Sequence, residues 1–247
     1  MSDRPVWASI VSLACLLRGL PLFFHAAPRT PLRALGIIAL DTLHVLRRSQ
    51  PLSRRRISEL AMFLDLEGCT NALWDHKGLC AAEYLTLRQQ LKHAGLGARM
   101  EAYLRRLREL ESRRPSIGGD HRTFEEVRSY REAVARLSID TAAAIALDDE
   151  DCETDTLFRI LMQCQIIDDI LDYPADLAAR LPSFLTASAS LPQAMELTAS
   201  ASRHYAATPE GCVLPLRLAL GVVSAMAKFV IGAAPQRHRQ AIRVASW

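Results

Sequence analysis

The stretch Leu161-Met-Gln-Cys-Gln-Ile-Ile-Asp168-Asp169-Ile-Leu-Asp172-Tyr-Pro-Ala-Asp176 decides how this chain is read. An α-helix repeats every ~3.6 residues, so Asp168, Asp172 and Asp176 form an i, i+4, i+8 stripe with Asp169 beside them. Like charges at that spacing repel, and carboxylates are rarely left on an apolar wall without a partner. Two readings fit: a solvated acidic face at the end of a core helix, or a cation site. The uncharged run before the stripe and the break expected at Pro174 favour the site. Hard carboxylate oxygens on one face suit Mg²⁺, which keeps several waters and shares phosphate ligands.

Working outward, helical periodicity dominates and no run alternates like a strand. The pattern predicts helices at about 5–20, 31–49, 54–76, 80–94, 97–113, 122–148, 154–180, 190–206 and 213–232. Punctuation falls between them at Pro28–Pro31, Gln50-Pro51, Gly78, Gly95 and Pro115–Gly119. Thr123-Phe-Glu-Glu126 reads as a capping box, and Pro182–Pro192 reads as a loop. A second polar stripe, Glu67, Asn71 and Asp75, lies on the predicted helix 54–76. By itself it reads as a wet face. Paired with the aspartates it could form the second wall of a site, since metal sites in bundles are built from facing helices.

With 247 residues, half of them hydrophobic, the chain can bury a core as one all-α domain over 1–247. Its net charge of +3 is small and spread along the chain, which argues against nucleic-acid binding. The clusters Arg47-Arg48, Arg54-Arg55-Arg56 and Arg113-Arg114 sit near predicted helix ends, where they complement helix dipoles. Six cysteines show neither Cys-x-x-Cys nor zinc spacing and read as packed thiols of a cytoplasmic protein. The apolar segment Val6–Leu17, ended by Arg18 and Pro21, is too short for a spanning helix, with a signal peptide left open; Val213–Ala233 reads as a buried core helix rather than a membrane span, with peripheral membrane contact left open.

Gln165-x-x-Asp168-x-x-x-Asp172-x-x-x-Asp176, followed by Leu181-Pro-Ser-Phe184-Leu, resembles the second aspartate-rich motif of squalene and phytoene synthases. Asp168-Asp169-x-x-Asp172 also resembles the Asp-Asp-x-x-Asp motif of trans-prenyl diphosphate synthases. Thr70-Asn71-Ala-Leu-Trp-Asp75 looks like the family's first Asp-x-x-x-Asp motif, with Asn in place of the first acid. Tyr130-Arg-Glu-Ala-Val134-Ala135 is similar to the Tyr-x-x-x-Val-Ala segment of the squalene and phytoene enzymes. The likeness covers roughly residues 50–190 and points to the class I isoprenoid synthases.

That resemblance implies an antiparallel helical bundle around a central cavity and an Mg²⁺-dependent reaction on a prenyl diphosphate. Asp168 and Asp172 would be the catalytic acids. Metal would be held by Asp168, Asp169, Asp172 and Asp176 from one wall, and by Asn71, Asp75 and Glu67 from the other. Arg131 and Arg180 are the candidates for gripping diphosphate oxygens, since a guanidinium can make two parallel bonds. Gln165, Tyr130 and Phe184 would complete the substrate site. Phe63, Trp74, Tyr84 and Phe158 are candidate wall residues for a carbocation, which aromatic faces stabilise.

Departures from the family narrow this expectation. No Gly-Gly-Lys segment lies near the start, which disfavours chain elongation, and no dinucleotide motif supports a reductive second step. Three readings stand: a terpene synthase that ionises one prenyl diphosphate, a head-to-head prenyl transferase that joins two, and a non-catalytic helical protein that binds a lipid or partner. A homodimer is compatible with any of them. A di-iron bundle is disfavoured, because no Glu-x-x-His occurs.

Overall fold

The computed structural model describes residues 31–74, 81–147, 154–210 and 212–245, besides Ile10 and Ala14. The expected helix at 5–20 and the first-motif residue Asp75 lie outside the described residues. Among those described there are nine helices and no strand: α1 Pro31–Arg48, α2 Arg54–Trp74, α3 Ala81–His93, α4 Gly97–Glu111, α5 His121–Leu147, α6 Asp155–Leu171, α7 Tyr173–Ala179, α8 Leu191–Ala206 and α9 Leu214–Ala245. One isolated parallel bridge joins Gly119 and Ser188. The expectation of an all-α chain holds.

Two compact units divide the chain, the first built from residues up to Arg108 with Arg136–Thr154 and Val213–Leu216. Its core comes from one apolar stripe per helix. Leu60, Phe63 and Leu66 of α2, Leu87 and Leu91 of α3, and Met100, Tyr103, Leu104 and Leu107 of α4 are all buried. The Phe63 and Tyr103 rings meet edge to face with centroids 5.0 Å apart, a geometry that aromatic quadrupoles favour. The turn between α1 and α2 is held by buried Asp41, whose Oδ1 accepts the Leu52 N–H at 2.7 Å. Arg56 and Arg99 donate to the carbonyls of Ala146 and Ala144, partnering two acceptors that the end of α5 leaves open.

The second unit comprises Glu109–Ala135, Asp155–Cys212 and Arg217–Trp247. Here α6 packs on α8, burying Phe158, Met162, Ile166 and Ile170 against Ala194, Ala201 and Tyr205. A fully buried amide, Gln163, ties three helices together. Its Nε2 donates to Ser202 O (2.8 Å) and Ser224 Oγ (3.2 Å), and its Oε1 accepts from Ser202 Oγ (2.8 Å). Both polar atoms of that amide in the apolar core therefore have partners, which avoids the cost of a lost bond.

Three features differ from the sequence expectation. The helix predicted over 154–180 breaks after Leu171, and α7 restarts at Tyr173 with Asp172 at its N-cap. Pro174 is the cause: it has no N–H, and its ring crowds the carbonyl four residues earlier. The hydrogen bonds Asp172 N→Asp168 O (2.8 Å) and Asp176 N→Asp172 O (2.9 Å) survive across the break, so the acids keep nearly helical spacing. The start of α5 is capped by Asp120, whose Oδ1 accepts the N–H groups of Arg122 (3.0 Å) and Thr123 (3.2 Å), and not by a box beginning at Thr123.

The expected loop after Leu181 is borne out, and its segment 182–188 is buried throughout. It is tied down by Gly118 N→Thr186 O (2.8 Å), Gly119 N→Ala187 O (3.2 Å) and Ala189 N→Gly119 O (3.0 Å). Finally, the apolar stretch read as a buried core helix is only half so. α9 runs through Pro235 to Ala245, burying Leu220, Val223 and Ala227 while leaving Leu218, Val222, Met226 and Phe229 exposed.

Candidate active site

Each functional side chain follows from where its helix is held. The last turns of α6 carry Gln165, Asp168 and Asp169, and the break at Pro174 hands the stripe on to Asp172 and Asp176 of α7. Burial then separates residues that the sequence shows as equals. Asp168 is exposed, Asp172 is half-buried, and Asp176 and Asp169 are buried.

Asp169, 2 % exposed, has both oxygens engaged. Oδ1 accepts Arg131 Nη2 at 2.6 Å, and Oδ2 accepts the Phe184 N–H at 2.7 Å. Burial pushes its carboxyl up to about 7. Arg131 and the Phe184 N–H pull it back, and Asp176 and Asp168 push it further up. Arg131 feels Asp169, Tyr130, Asp176 and Asp168 together. They outweigh the loss of water around it, so the guanidinium is held firmly charged. α5 thereby brings one cation among three of the four predicted acids. Arg131 Nε is buried and donates to nothing, and Gln165 Oε1, one turn before Asp168, is a buried acceptor with no donor.

The flanking residues are placed by packing. Phe184 is fully buried with its ring 5.8 Å from that of Phe124, so it lies in the core behind Asp169. Tyr130 donates its hydroxyl to Glu111, and burial together with that bond pushes the phenol up, so it stays protonated. Between the end of α4 and the start of α5 lies an open groove of about 520 Å³, lined by Tyr130, Arg113, Arg122, Ser129 and Leu110 among others. Arg180 is exposed and caps α7 in the left-handed conformation (φ 55°). Cys164 beside the stripe is raised to about 11, by burial and then by Asp168, so it packs as an unreactive thiol.

The other predicted stripe belongs to the first unit. Asn71 is exposed. Glu67 accepts from Ser138 Oγ at 2.5 Å, and Ser138 in turn lies 3.5 Å from the Tyr103 hydroxyl. Burial raises the Glu67 carboxyl, and the Ser138 bond only partly offsets this. Of the candidate wall residues, Phe63 meets Tyr103 and Phe158 meets Tyr205 edge to face, while Trp74 and Tyr84 are half-buried.

Sequence reasoning missed Glu111, the acceptor for Tyr130, and the group made by Arg128, Glu132 and Tyr205. Arg128 Nε donates to Glu132 and to the Tyr205 hydroxyl at 3.0 Å each, and that hydroxyl donates to Glu132 at 2.5 Å. The i, i+4 spacing of Arg128 and Glu132 was readable as an ion pair. Tyr205, seventy-three residues beyond Glu132, left no local signal.

Among the described residues no three His, Cys, Asp or Glu side chains converge closely enough to enclose a metal ion. The donor chemistry around Arg131 still suits Mg²⁺, because the exposed and half-buried Asp168 and Asp172 and the unused Gln165 carbonyl are all hard oxygens. Magnesium is commonly held by one or two carboxylates, with phosphate and water completing the shell. Comparison with protein-family models, with curated proteins and with solved structures finds no match.

Proposed function

We propose that this chain is an Mg²⁺-dependent class I terpene synthase. In this reading it ionises an allylic prenyl diphosphate, releases diphosphate, and cyclises or quenches the resulting carbocation within the central cavity of an isoprenoid-type bundle. One observation carries the reading: a buried arginine edge and an unused amide oxygen lie beside an exposed aspartate at Asp168. Together they form a charge-balanced place for an anion and its counter-cation.

The roles follow from the chemistry. The bond between the allylic carbon and diphosphate oxygen breaks with its electron pair leaving on oxygen. Arg131 is poised to stabilise that charge through its unused Nε, a donor already stripped of water. Asp169 acts on Arg131, fixing the guanidinium plane from one side while Phe184 N–H fixes Asp169 from the other. Asp168 and Asp172 would hold Mg²⁺ with Gln165 nearby, and the bound ion would neutralise the departing diphosphate. Asp176 contributes charge to Arg131 from within the core.

Gln165 and the Tyr130–Ala135 segment also match the squalene and phytoene pattern, which favours head-to-head condensation as the second reading. Both readings meet one experiment. Purified protein is incubated with Mg²⁺ and geranyl, farnesyl or geranylgeranyl diphosphate, with diphosphate release assayed and products identified by mass. A product built from one prenyl unit supports the synthase, and one built from two supports condensation. Asp172→Asn should lower release by a hundredfold or more, on the order of 3 kcal/mol of barrier, with helical circular dichroism unchanged. No release by the parent protein from any of the three would leave the non-catalytic reading.

A further inference from the structure

We infer that α9 docks this protein on the surface of an anionic lipid bilayer, through an apolar stripe that the described residues leave uncovered. The inference is independent of the reaction proposed above. Leu218, Val222, Met226 and Phe229 are 61, 61, 53 and 72 % exposed. They recur at intervals of four, four and three residues and therefore line one face of the helix. Among the described residues nothing lies within 4 Å of where a side chain would begin at Gly221 or Gly232, so they do not cover this part of the helix. A contiguous patch of large apolar side chains is costly in water and marks an interaction surface.

Charge selects the occupant. α9 carries Arg217, Lys228, Arg237, Arg239 and Arg243 and no acidic residue. The rest of the chain holds 25 Lys and Arg against 27 Asp and Glu, so the positive charge of the protein is concentrated on this helix. Arg217 and Lys228 are exposed beside the stripe, and a second copy meeting this face through its own α9 would set these cations against their like. An anionic lipid surface complements them, and apolar side chains flanked by Lys and Arg are how interfacial helices lie in headgroups.

By length and composition Leu216–Ala234 could also cross a bilayer. The opposite side of the helix argues for lying flat. Leu220, Val223 and Ala227 are buried in the second unit, and Ser224 Oγ accepts from Gln163. Spanning would strip that amide of one of its partners and empty the core that α9 seals.

The test is vesicle flotation of the full-length protein with phosphatidylcholine alone or mixed with phosphatidylglycerol, at low and high salt. The protein should float with the anionic vesicles, bind them about tenfold better than neutral ones, and be released by salt. Met226→Gln with Phe229→Gln should lower binding by about tenfold or more, with helical circular dichroism unchanged because both sites are exposed. The inference is overturned if the parent stays in solution with both vesicles, or if the double variant floats as well as the parent. It is equally overturned if bound protein resists salt and alkaline carbonate and leaves only with detergent, or if the parent is a lipid-free dimer that the double variant dissolves.

Discussion

Asp169 shows how one residue's surroundings set its chemistry. An unfolded aspartate titrates near about 4, whereas burial in the folded protein raises Asp169 to about 7. Folding therefore favours the protonated form. The stability it supplies is complete below the unfolded value and is lost as pH rises through the folded one. Stability to denaturant should thus fall between about pH 4 and pH 7, by something on the order of a few kcal/mol. Glu67 is shifted in the same direction by the same cause and adds to that slope. In Asp169→Asn the fall should shrink to the part that Glu67 contributes. Denaturation curves at several pH values decide this, and an unchanged slope in the variant would remove Asp169 as its source. Asp168 and Asp169 were adjacent, equal letters in the motif. The arginine that separates them comes from thirty-eight residues away, and the amide from fifteen, so neither was legible locally.

At the scale of elements, the 182–188 segment and the start of α5 hold each other. Gly118 turns the chain with φ 74°, and Gly119 then presses its backbone against Thr123. A Cβ added at Gly119 would stand 1.9 Å from Thr123 Oγ1 and 2.6 Å from Thr123 Cβ. Gly119→Ala should therefore destabilise the protein by about 1–3 kcal/mol through overpacking. Trimming the neighbour with Thr123→Ala removes the hydroxyl and methyl contacts but not the Cβ contact, so it should restore only part of the loss. Thermal melts of the single and double variants measure both effects; a Gly119→Ala protein as stable as the parent would show that α5 can shift freely. The sequence marked this place correctly as a loop signal followed by a helix start. It missed which residue caps the helix, because Asp120 and Thr123 are equally good caps on paper and only the packed backbone chose between them. It read Pro182–Pro192 as a loop, which the structure keeps, while the burial of 182–188 around Phe184 depends on partners from elsewhere in the chain.

For the molecule as a whole, ligand linkage offers a readout that does not depend on turnover. If the acids of α6 and α7 with Arg131 hold a magnesium–diphosphate pair, Mg²⁺ and inorganic diphosphate together should stabilise the folded state. At a hundredfold excess over the dissociation constant the gain is about 2.7 kcal/mol, or roughly 5–10 °C in melting temperature for a chain of this size. Mg²⁺ alone should do little, since among the described residues no three His, Cys, Asp or Glu side chains converge without the anion's oxygens. Asp172→Asn should suppress the joint shift. Identical melts with and without the pair would count against the site, whatever the activity assays return.

The amino-acid order alone determined that this protein is helical, where most helices begin and end, and how the acids are spaced along their rods. Those are consequences of short-range sterics, periodicity and the missing N–H of proline, all of which act within a few residues. What the tertiary structure decided is which of those acids meets water, which meets Arg131, and which face of α9 is left bare. Desolvation and ion pairing depend on neighbours brought together from distant parts of the chain, and no stretch of sequence contains its own neighbours.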